Sequence, residues 1–120
     1  MSIGLTQTEI GELQAKYSYL INYESEDPTE SIDPISYRDS NSDHLIHIAA
    51  SGADLRTVEL LLRAGVDVNM KGDMGSTPLH YASREGNCEL IELLLRHGAD
   101  ELLLDDFGRR PSDYAHSGRQ

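Results

Sequence analysis

The sequence predicts an all-α fold, a short solenoid of stacked helix pairs. One stretch, residues 77–100, carries the signals of two short helices with a turn between them. The same pattern recurs 33 residues upstream and, in part, 33 residues downstream. A helix pair this short cannot bury its apolar side chains alone, so repetition at a fixed period indicates that similar units stack on one another.

Both helices of residues 77–100 begin and end at suitable residues. Thr77 can cap the first helix, and Pro78 fits its first turn, where the missing N–H has no helical partner. Gly86 can adopt the left-handed conformation that ends this helix, and Asn87 can cap the second. The second helix has a wide apolar stripe at helical spacing, formed by Leu90, Ile91, Leu94 and Leu95.

A 33-residue period links this pair to its neighbours. Residues 44–50 and 60–67 repeat its pattern upstream, and its tyrosine and alanine positions recur downstream at Tyr114 and Ala115. The residues that carry the pattern are Thr77-Pro78-Leu79-His80, Leu93-Leu94-Leu95 and Gly98-Ala99-Asp100. They resemble the ankyrin repeat, and the resemblance covers about residues 39–116. It implies an ankyrin-like helical solenoid with β-hairpin fingers between the helix pairs.

A chain of 120 residues is expected to form one domain with an atypical unit at each end. Its expected parts are a capping helix and acidic linker (1–38), ankyrin-like repeats 1 (39–71) and 2 (72–104), and a partial C-terminal capping repeat (105–120). The first repeat departs from the family pattern at Ser42, His44 and Ala53. The last unit places Arg110, Ser112 and Asp113 where the repeat has Thr, Leu and His, a polar surface that suits an end.

Residues 6–23 are predicted to form an amphipathic helix. Thr6 and Glu9 have the spacing of a capping box. One face carries the apolar residues Ile10, Leu13, Tyr17, Leu20 and Ile21. Because stacks need atypical end units, we expect this helix to cover the exposed side of the first repeat. The alternative is a free helix that docks on a partner.

The chain is strongly acidic, with a net charge of −11. Residues 1–43 hold nine acidic and two basic residues, so most of the excess negative charge lies in these N-terminal residues. The linker at residues 24–38 is expected to be either a solvated loop or a negative patch. An acidic field repels nucleic acid and anionic membranes and speeds encounter with a basic protein. The alternative is that the charge serves solubility alone.

The location expected from the sequence is cytoplasmic. No apolar run approaches the length of a membrane span, and no secretory signal is visible. Cys88 is the only cysteine, which excludes an internal disulfide and fits a reducing compartment. Cys88 lies in the first turn of a helix, where a thiol pKa can fall, but it occupies an apolar position of the repeat. We expect it to be buried and inert.

No catalytic, cofactor or metal site is expected. The histidines are His44, His47, His80, His97 and His116, and the first two have a spacing that metal ligands can use. However, His47 and His80 occupy the repeat histidine position, which the resemblance implies bridges neighbouring loops by hydrogen bonds. The glycines form no phosphate-binding loop, and the acidic pairs lack the spacing of a calcium loop.

The resemblance implies protein binding through the finger tips and the inner face of the first helix of each pair. The candidate binding residues at these positions are Asp43, Asp73, Met74, Ser76, Arg84, Glu85, Asp106, Phe107 and Arg109. Met74 and Phe107 are apolar where water is expected, and exposed aromatic residues are typical interface anchors. The run 102–104 of three leucines is either extra core or an exposed strip, and we expect core.

These features predict a non-catalytic protein-binding module, monomeric when free. A highly acidic domain without a second module suits a stoichiometric inhibitor of a basic protein, such as an antitoxin or immunity protein that neutralises a toxin enzyme. The alternative is an adaptor or regulatory subunit that recruits a partner without inhibiting it. An inhibitor abolishes an activity at a one-to-one ratio, whereas an adaptor changes the location or assembly of its partner.

Overall fold

The computed structural model describes residues 5–20 and 31–117, which form short helices joined by turns. The helices are α1 (Gln7–Lys16), α2 (Leu45–Ser51), α3 (Leu55–Arg63), α4 (Pro78–Glu85), α5 (Cys88–Arg96) and α6 (Pro111–Ser117), with a 3-10 turn at Asp73–Gly75. These described residues contain no strand, and the predicted all-α class is confirmed. Within the same ranges, no helix has the length and apolar character needed to cross a membrane.

The helices of the repeats form two layers. One layer consists of α2, α4 and α6, which pack side by side in chain order, and the other consists of α3 and α5. The apolar stripes of the helices meet between the layers and form the core. Its fully buried large side chains include Leu45, Ile46, Leu60, Leu61, Leu90 and Leu94. The 33-residue period of the sequence is therefore the distance along the chain between stacked helices.

The helix signals of the central repeat are confirmed. Thr77 Oγ1 accepts a hydrogen bond from the His80 N–H at 3.3 Å, as a cap of α4. Gly86 ends α4 with a left-handed backbone, at φ 70°. Asn87 Oδ1 accepts from the Leu90 N–H at 3.0 Å and caps α5. These local choices explain why two helices of only eight and nine residues begin and end where they do.

Three turns recur at the 33-residue period with the same backbone hydrogen bond. We call them finger 1 (residues 39–43), finger 2 (72–76) and finger 3 (105–109). In each, the N–H of the first residue donates to the carbonyl of the fifth, at 2.8, 2.8 and 2.9 Å. The fourth residue has a left-handed backbone in all three, as Ser42, Gly75 and Gly108.

The fingers differ from the β-hairpins that the resemblance implies. A turn of five residues whose ends already bond each other leaves no room for a ladder of paired strands. The described residues contain only an isolated antiparallel bridge, between Arg38 and His44 at the base of finger 1. Each finger is therefore a tight projecting turn.

The N-terminal helix lies against the first repeat. Its predicted capping box is formed, because Thr6 Oγ1 accepts from the Glu9 N–H at 3.1 Å and Glu9 accepts from the Thr6 N–H at 3.0 Å. Leu13 is fully buried and Tyr17 is 6% exposed. The helix ends at Lys16, earlier than expected, and residues 21–23 of the predicted helix lie outside the described ranges.

Polar contacts orient α1 on α3. The Tyr17 hydroxyl donates to Asp54 at 2.7 Å, and Asp54 also caps α3 through the Thr57 N–H. Three ion pairs join the two helices, namely Lys16–Asp54, Glu12–Arg56 and Glu9–Arg63. Because exposed ion pairs contribute little each, most of the stabilisation comes from the buried Leu13 and Tyr17.

Part of the predicted linker belongs to the core. Ile32 and Tyr37 are only 2% and 6% exposed, and the Gln14 side-chain amide donates to the Ile32 carbonyl at 2.9 Å. The expectation of a solvated loop is therefore wrong for Ile32, Pro34 and Tyr37, which are buried, whereas the other residues of 31–38 are exposed. Residues 24–30 lie outside the described ranges, so their role as a negative patch stays a prediction.

The C-terminal side of the stack is more exposed than expected. Leu102 and Leu104 are 69% and 50% exposed, and Cys88 is exposed too, so neither the leucine run nor the thiol is core. The physical reason for this exposure is the position of these residues at the C-terminal side of the stack. Leu55, one period before Cys88, packs partly buried against the core, whereas α5 ends the outer layer of the described residues.

Leu13→Ala tests the contribution of α1 to stability. Because Leu13 is fully buried, we expect the substitution to lower the free energy of unfolding by about 2–5 kcal/mol. The matched control is Leu102→Ala, an exposed leucine whose loss should change stability by no more than about 0.5 kcal/mol. Urea unfolding followed by circular dichroism measures both. Equal stabilities for the two variants would contradict the packing of α1.

Asp54→Asn tests the pH dependence of the α1–α3 contact. Burial raises the pKa of Asp54, but hydrogen bonds from Thr57 and Tyr17 outweigh this and hold the pKa below its ordinary value. A carboxylate of this kind stabilises the fold at pH values above its pKa in the unfolded chain, about 3.9. This stabilisation is lost as the pH falls through the lower pKa of the folded state. Asparagine can still cap a helix, as Asn87 does in the second repeat, but it carries no charge.

We expect Asp54→Asn to be less stable than the wild type at neutral pH, and the gap to narrow as the pH falls below about 4. Urea midpoints over this pH range measure the gap. Glu59→Gln, which removes an exposed carboxylate from the same helix, is the control. A gap that stays constant with pH would show that the Asp54 charge is not what stabilises this contact.

Candidate functional site

An open groove of about 410 Å³ lies where fingers 2 and 3 meet α4 and α6. Its lining residues are Asp73, Met74, Tyr81, Arg84, Phe107, Arg109 and Tyr114. Five of the nine residues predicted from the sequence are among them, all except Asp43, Ser76, Glu85 and Asp106. The repeat places finger tips and first helices of successive units side by side, and this explains why predicted positions from two units converge on one surface.

The finger tips supply the apolar part of the groove. Met74 is 53% exposed and Phe107 is 60% exposed. The Asp106 N–H donates to the Met74 carbonyl at 2.9 Å and joins finger 3 to finger 2. This backbone bond accounts for the adjacent placement of the two apolar side chains, which lie in successive units of the stack.

The floor of the groove is a stack of arginine and tyrosine side chains. The Arg84 guanidinium lies 5.1 Å from the ring centroid of Tyr81 and 4.7 Å from that of Tyr114. Arg109 lies 5.7 Å from the Tyr114 centroid, on the same stack. Cations at these distances are attracted to the electron-rich ring faces. The two tyrosines, one period apart on α4 and α6, therefore hold two positive charges at the floor.

Arg84 is also tied to polar groups behind the groove. It donates to Ser76 Oγ at 2.5 Å and lies 3.8 Å from the Asp105 carboxylate, which is fully buried. Burial raises the pKa of Asp105, but hydrogen bonds from the Tyr114 hydroxyl and from the backbone hold it below its ordinary value. Asp105 is therefore ionised at neutral pH and partly balances the charge of Arg84.

The four predicted residues outside the groove lining have different surroundings. Ser76 is fully buried, so its assignment as an exposed finger residue is wrong, because its hydroxyl turns inward to Arg84. Asp43 points its carboxylate at Tyr81 and finger 2, with Oδ1 2.7 Å from the Tyr81 hydroxyl. Glu85 and Asp106 are exposed.

Sequence reasoning missed Tyr81 and Tyr114 as groove residues. They were recognised as matching repeat positions but not as a binding surface. A usable signal was present, because Arg84 follows Tyr81 by three residues on a helix, which places both side chains on one face. The second ring comes from the next unit, so its approach to Arg84 depends on how the units stack.

The buried histidines have the bridging role that the resemblance implied. His47 Nε2 bonds the Met70 carbonyl at 2.7 Å, and His80 Nε2 bonds the Arg109 carbonyl at 2.9 Å. Burial lowers the pKa of His47, which favours the neutral ring. Residues 5–20 and 31–117 contain no group of three or more His, Cys, Asp or Glu side chains that could hold a metal ion. The side chain of His116 lies outside the description.

A family model described as Ankyrin repeats (3 copies) matches residues 15–119, most of the chain. The match begins near the end of α1, upstream of the first repeat expected at residue 39. No curated protein matches the chain.

Proposed function

The chain belongs to the ankyrin repeat family, and we propose that it is a non-catalytic inhibitor that binds one basic protein partner through the groove. Ankyrin repeats are protein–protein interaction modules. The observation that carries the proposal is the exposed pair Met74 and Phe107 beside two arginines held on tyrosine rings. Exposed aromatic and arginine side chains on a firm support are the usual anchors of protein interfaces.

The proposed contact surface has an apolar centre and a charged rim. Its centre is Met74 and Phe107, flanked by Arg84 and Arg109. The rim carboxylates are Asp73, Glu85 and Asp106. Because the buried Asp105 balances part of the Arg84 charge, the rim is expected to determine how a charged partner approaches.

The charge of the whole chain favours a basic partner. At a net charge of −11, the domain repels nucleic acid and anionic membranes and attracts positive proteins over a distance of about one Debye length, about 8 Å at physiological salt. An acidic module that covers the functional surface of a basic enzyme would act as an antitoxin or immunity protein does. We propose that it does so in the cytoplasm and that it is a monomer before it binds.

Capture of the partner from the native source tests this proposal. Wild-type protein and Phe107→Ala serve as paired baits, and a specific partner is retained by the first and lost from the second. The activity of that partner is then titrated with wild-type protein. Loss of activity that is complete at a one-to-one ratio supports an inhibitor. Unchanged activity at saturation contradicts it, and a changed location or assembly of the partner then indicates an adaptor.

Phe107→Ala is expected to weaken binding mainly through faster dissociation. If the ring is an anchor, the loss is about 2 kcal/mol or more, because the partner pocket that it fills is left empty. The matched control is Tyr19→Ala, which removes an aromatic side chain that is 69% exposed but lies outside the groove. Surface plasmon resonance measures both rates. Equal dissociation from the two variants would exclude Phe107 as an anchor.

Asp73→Asn combined with Asp106→Asn is expected to slow association, and the difference should vanish at high salt because screening removes steering. Glu59→Gln combined with Glu92→Gln removes the same charge from exposed positions of the outer helices and is the control. If the groove variants bind like wild type while substitutions in the acidic segment Glu24–Asp33 abolish binding, recognition lies outside the repeats.

A further inference from the structure

An aspartate holds finger 3 together and fixes a tyrosine. Asp105 Oδ1 accepts the N–H groups of Phe107 and Arg109 at 2.9 and 3.0 Å, and its Oδ2 accepts the Tyr114 hydroxyl. In finger 1, Asp39 accepts the equivalent N–H groups of Asn41 and Asp43, both at 2.9 Å. The same position in finger 2 is Gly72, one period from both aspartates, and it has no carboxylate.

Asp43 of finger 1 fills the gap that Gly72 leaves. Its Oδ1 accepts the Asp73 N–H at 2.9 Å and the Tyr81 hydroxyl at 2.7 Å. A Cβ built on Gly72 would lie only 2.4 Å from this oxygen and 2.9 Å from the His47 ring. The carboxylate therefore occupies the space of a side chain at position 72, but it comes from the preceding unit.

We infer that Asp43 is a positioning residue of the groove, because its carboxylate replaces the one missing at Gly72, orients Tyr81 and so holds Arg84 in place. The inference rests on the proposed function in one respect, that the groove is the binding surface. It also changes the role of Asp43, which the sequence placed among the residues that contact the partner.

The surroundings of Tyr81 support this role. The charged and titratable groups that face it are Asp43, Asp73, Arg84 and His47, whose ring centroid is 5.7 Å from that of Tyr81. Burial and the hydrogen bond to Asp43 raise the pKa of Tyr81 above its ordinary range. Asp73 lines the groove beside the same ring, so it offers a carboxylate of similar position for comparison.

The first experiment measures Tyr81 in the full chain by NMR with labelled tyrosine, and Tyr81→Phe assigns its signal. In Asp43→Ala, we expect the Tyr81 pKa to fall toward the ordinary tyrosine value of about 10, and the contacts between the Tyr81 ring and Arg84 to weaken. In the control Asp73→Asn, the pKa changes less and the ring contacts remain. Unchanged Tyr81 pKa and ring contacts in Asp43→Ala would overturn the inference.

A second pair of variants keeps the inference testable if Asp43→Ala folds poorly. Gly72→Asp returns a carboxylate to position 72, as Asp105 does in finger 3. In the wild-type background it competes with Asp43 for one space, so we expect a large loss of stability. In the Asp43→Ala background the loss is smaller, and the Tyr81 pKa rises again. The His47 ring meets the new side chain equally in both backgrounds, so only the difference between the two losses reports on Asp43. An equal loss together with an unrecovered Tyr81 pKa would overturn the inference.

Neither experiment uses the partner. A chain that behaves as expected in both, yet captures no protein through its groove, would refute the proposed function and leave the role of Asp43 intact. Conversely, the groove could bind a partner while the Tyr81 pKa and ring contacts stay unchanged in Asp43→Ala. That result would refute the positioning role alone.

Discussion

Two buried histidines hold the stack in register. Nδ1 of His47 and of His80 accepts an N–H at the start of its own helix, from His44 at 2.9 Å and from Thr77 at 3.1 Å. Nε2 of His47 bonds the Met70 carbonyl, two residues before finger 2, and Nε2 of His80 bonds the Arg109 carbonyl in finger 3. A neutral imidazole has one acceptor and one donor nitrogen, which is what these two bonds require. α2 is thereby tied to the segment that leads into finger 2, and α4 is tied to finger 3, which lines the groove.

The groove follows from this register. The His80 bond ties finger 3 to α4, and Tyr81 and Tyr114 approach Arg84 from successive units. Carboxylates of the fingers then hold the tyrosine hydroxyls, Asp105 within its own unit and Asp43 across a unit boundary. The result is a floor whose side chains are held by other groups of the same chain. Such preorganisation reduces the side-chain entropy that the groove itself would lose on binding a partner.

Much of the site could be predicted because finger and inner-helix positions follow from the period alone. Asp73, Met74, Arg84, Phe107 and Arg109 were predicted from their place in the repeat, and the structure brings them into one groove. Ser76 and Cys88 were assigned wrongly for different reasons, because the Ser76 hydroxyl turns inward to Arg84 whereas Cys88 is exposed on the last helix of the outer layer. Burial depends on which neighbours are present, and the repeat pattern describes an average unit with a neighbour on each side, whereas α5 ends the outer layer of the described residues.

The sequence by itself determined the all-α class, the period, and the start and end of helices such as α4, because caps, prolines and glycines act within one turn of chain. Only the tertiary structure decided that Ile32 and Tyr37 are core, that Leu102 is exposed, and that Asp43 reaches Tyr81. These outcomes depend on distances between units. Whether a side chain from a neighbouring unit fills a given space depends on differences of a few ångströms in how the units stack. The local pattern of residues does not specify those distances.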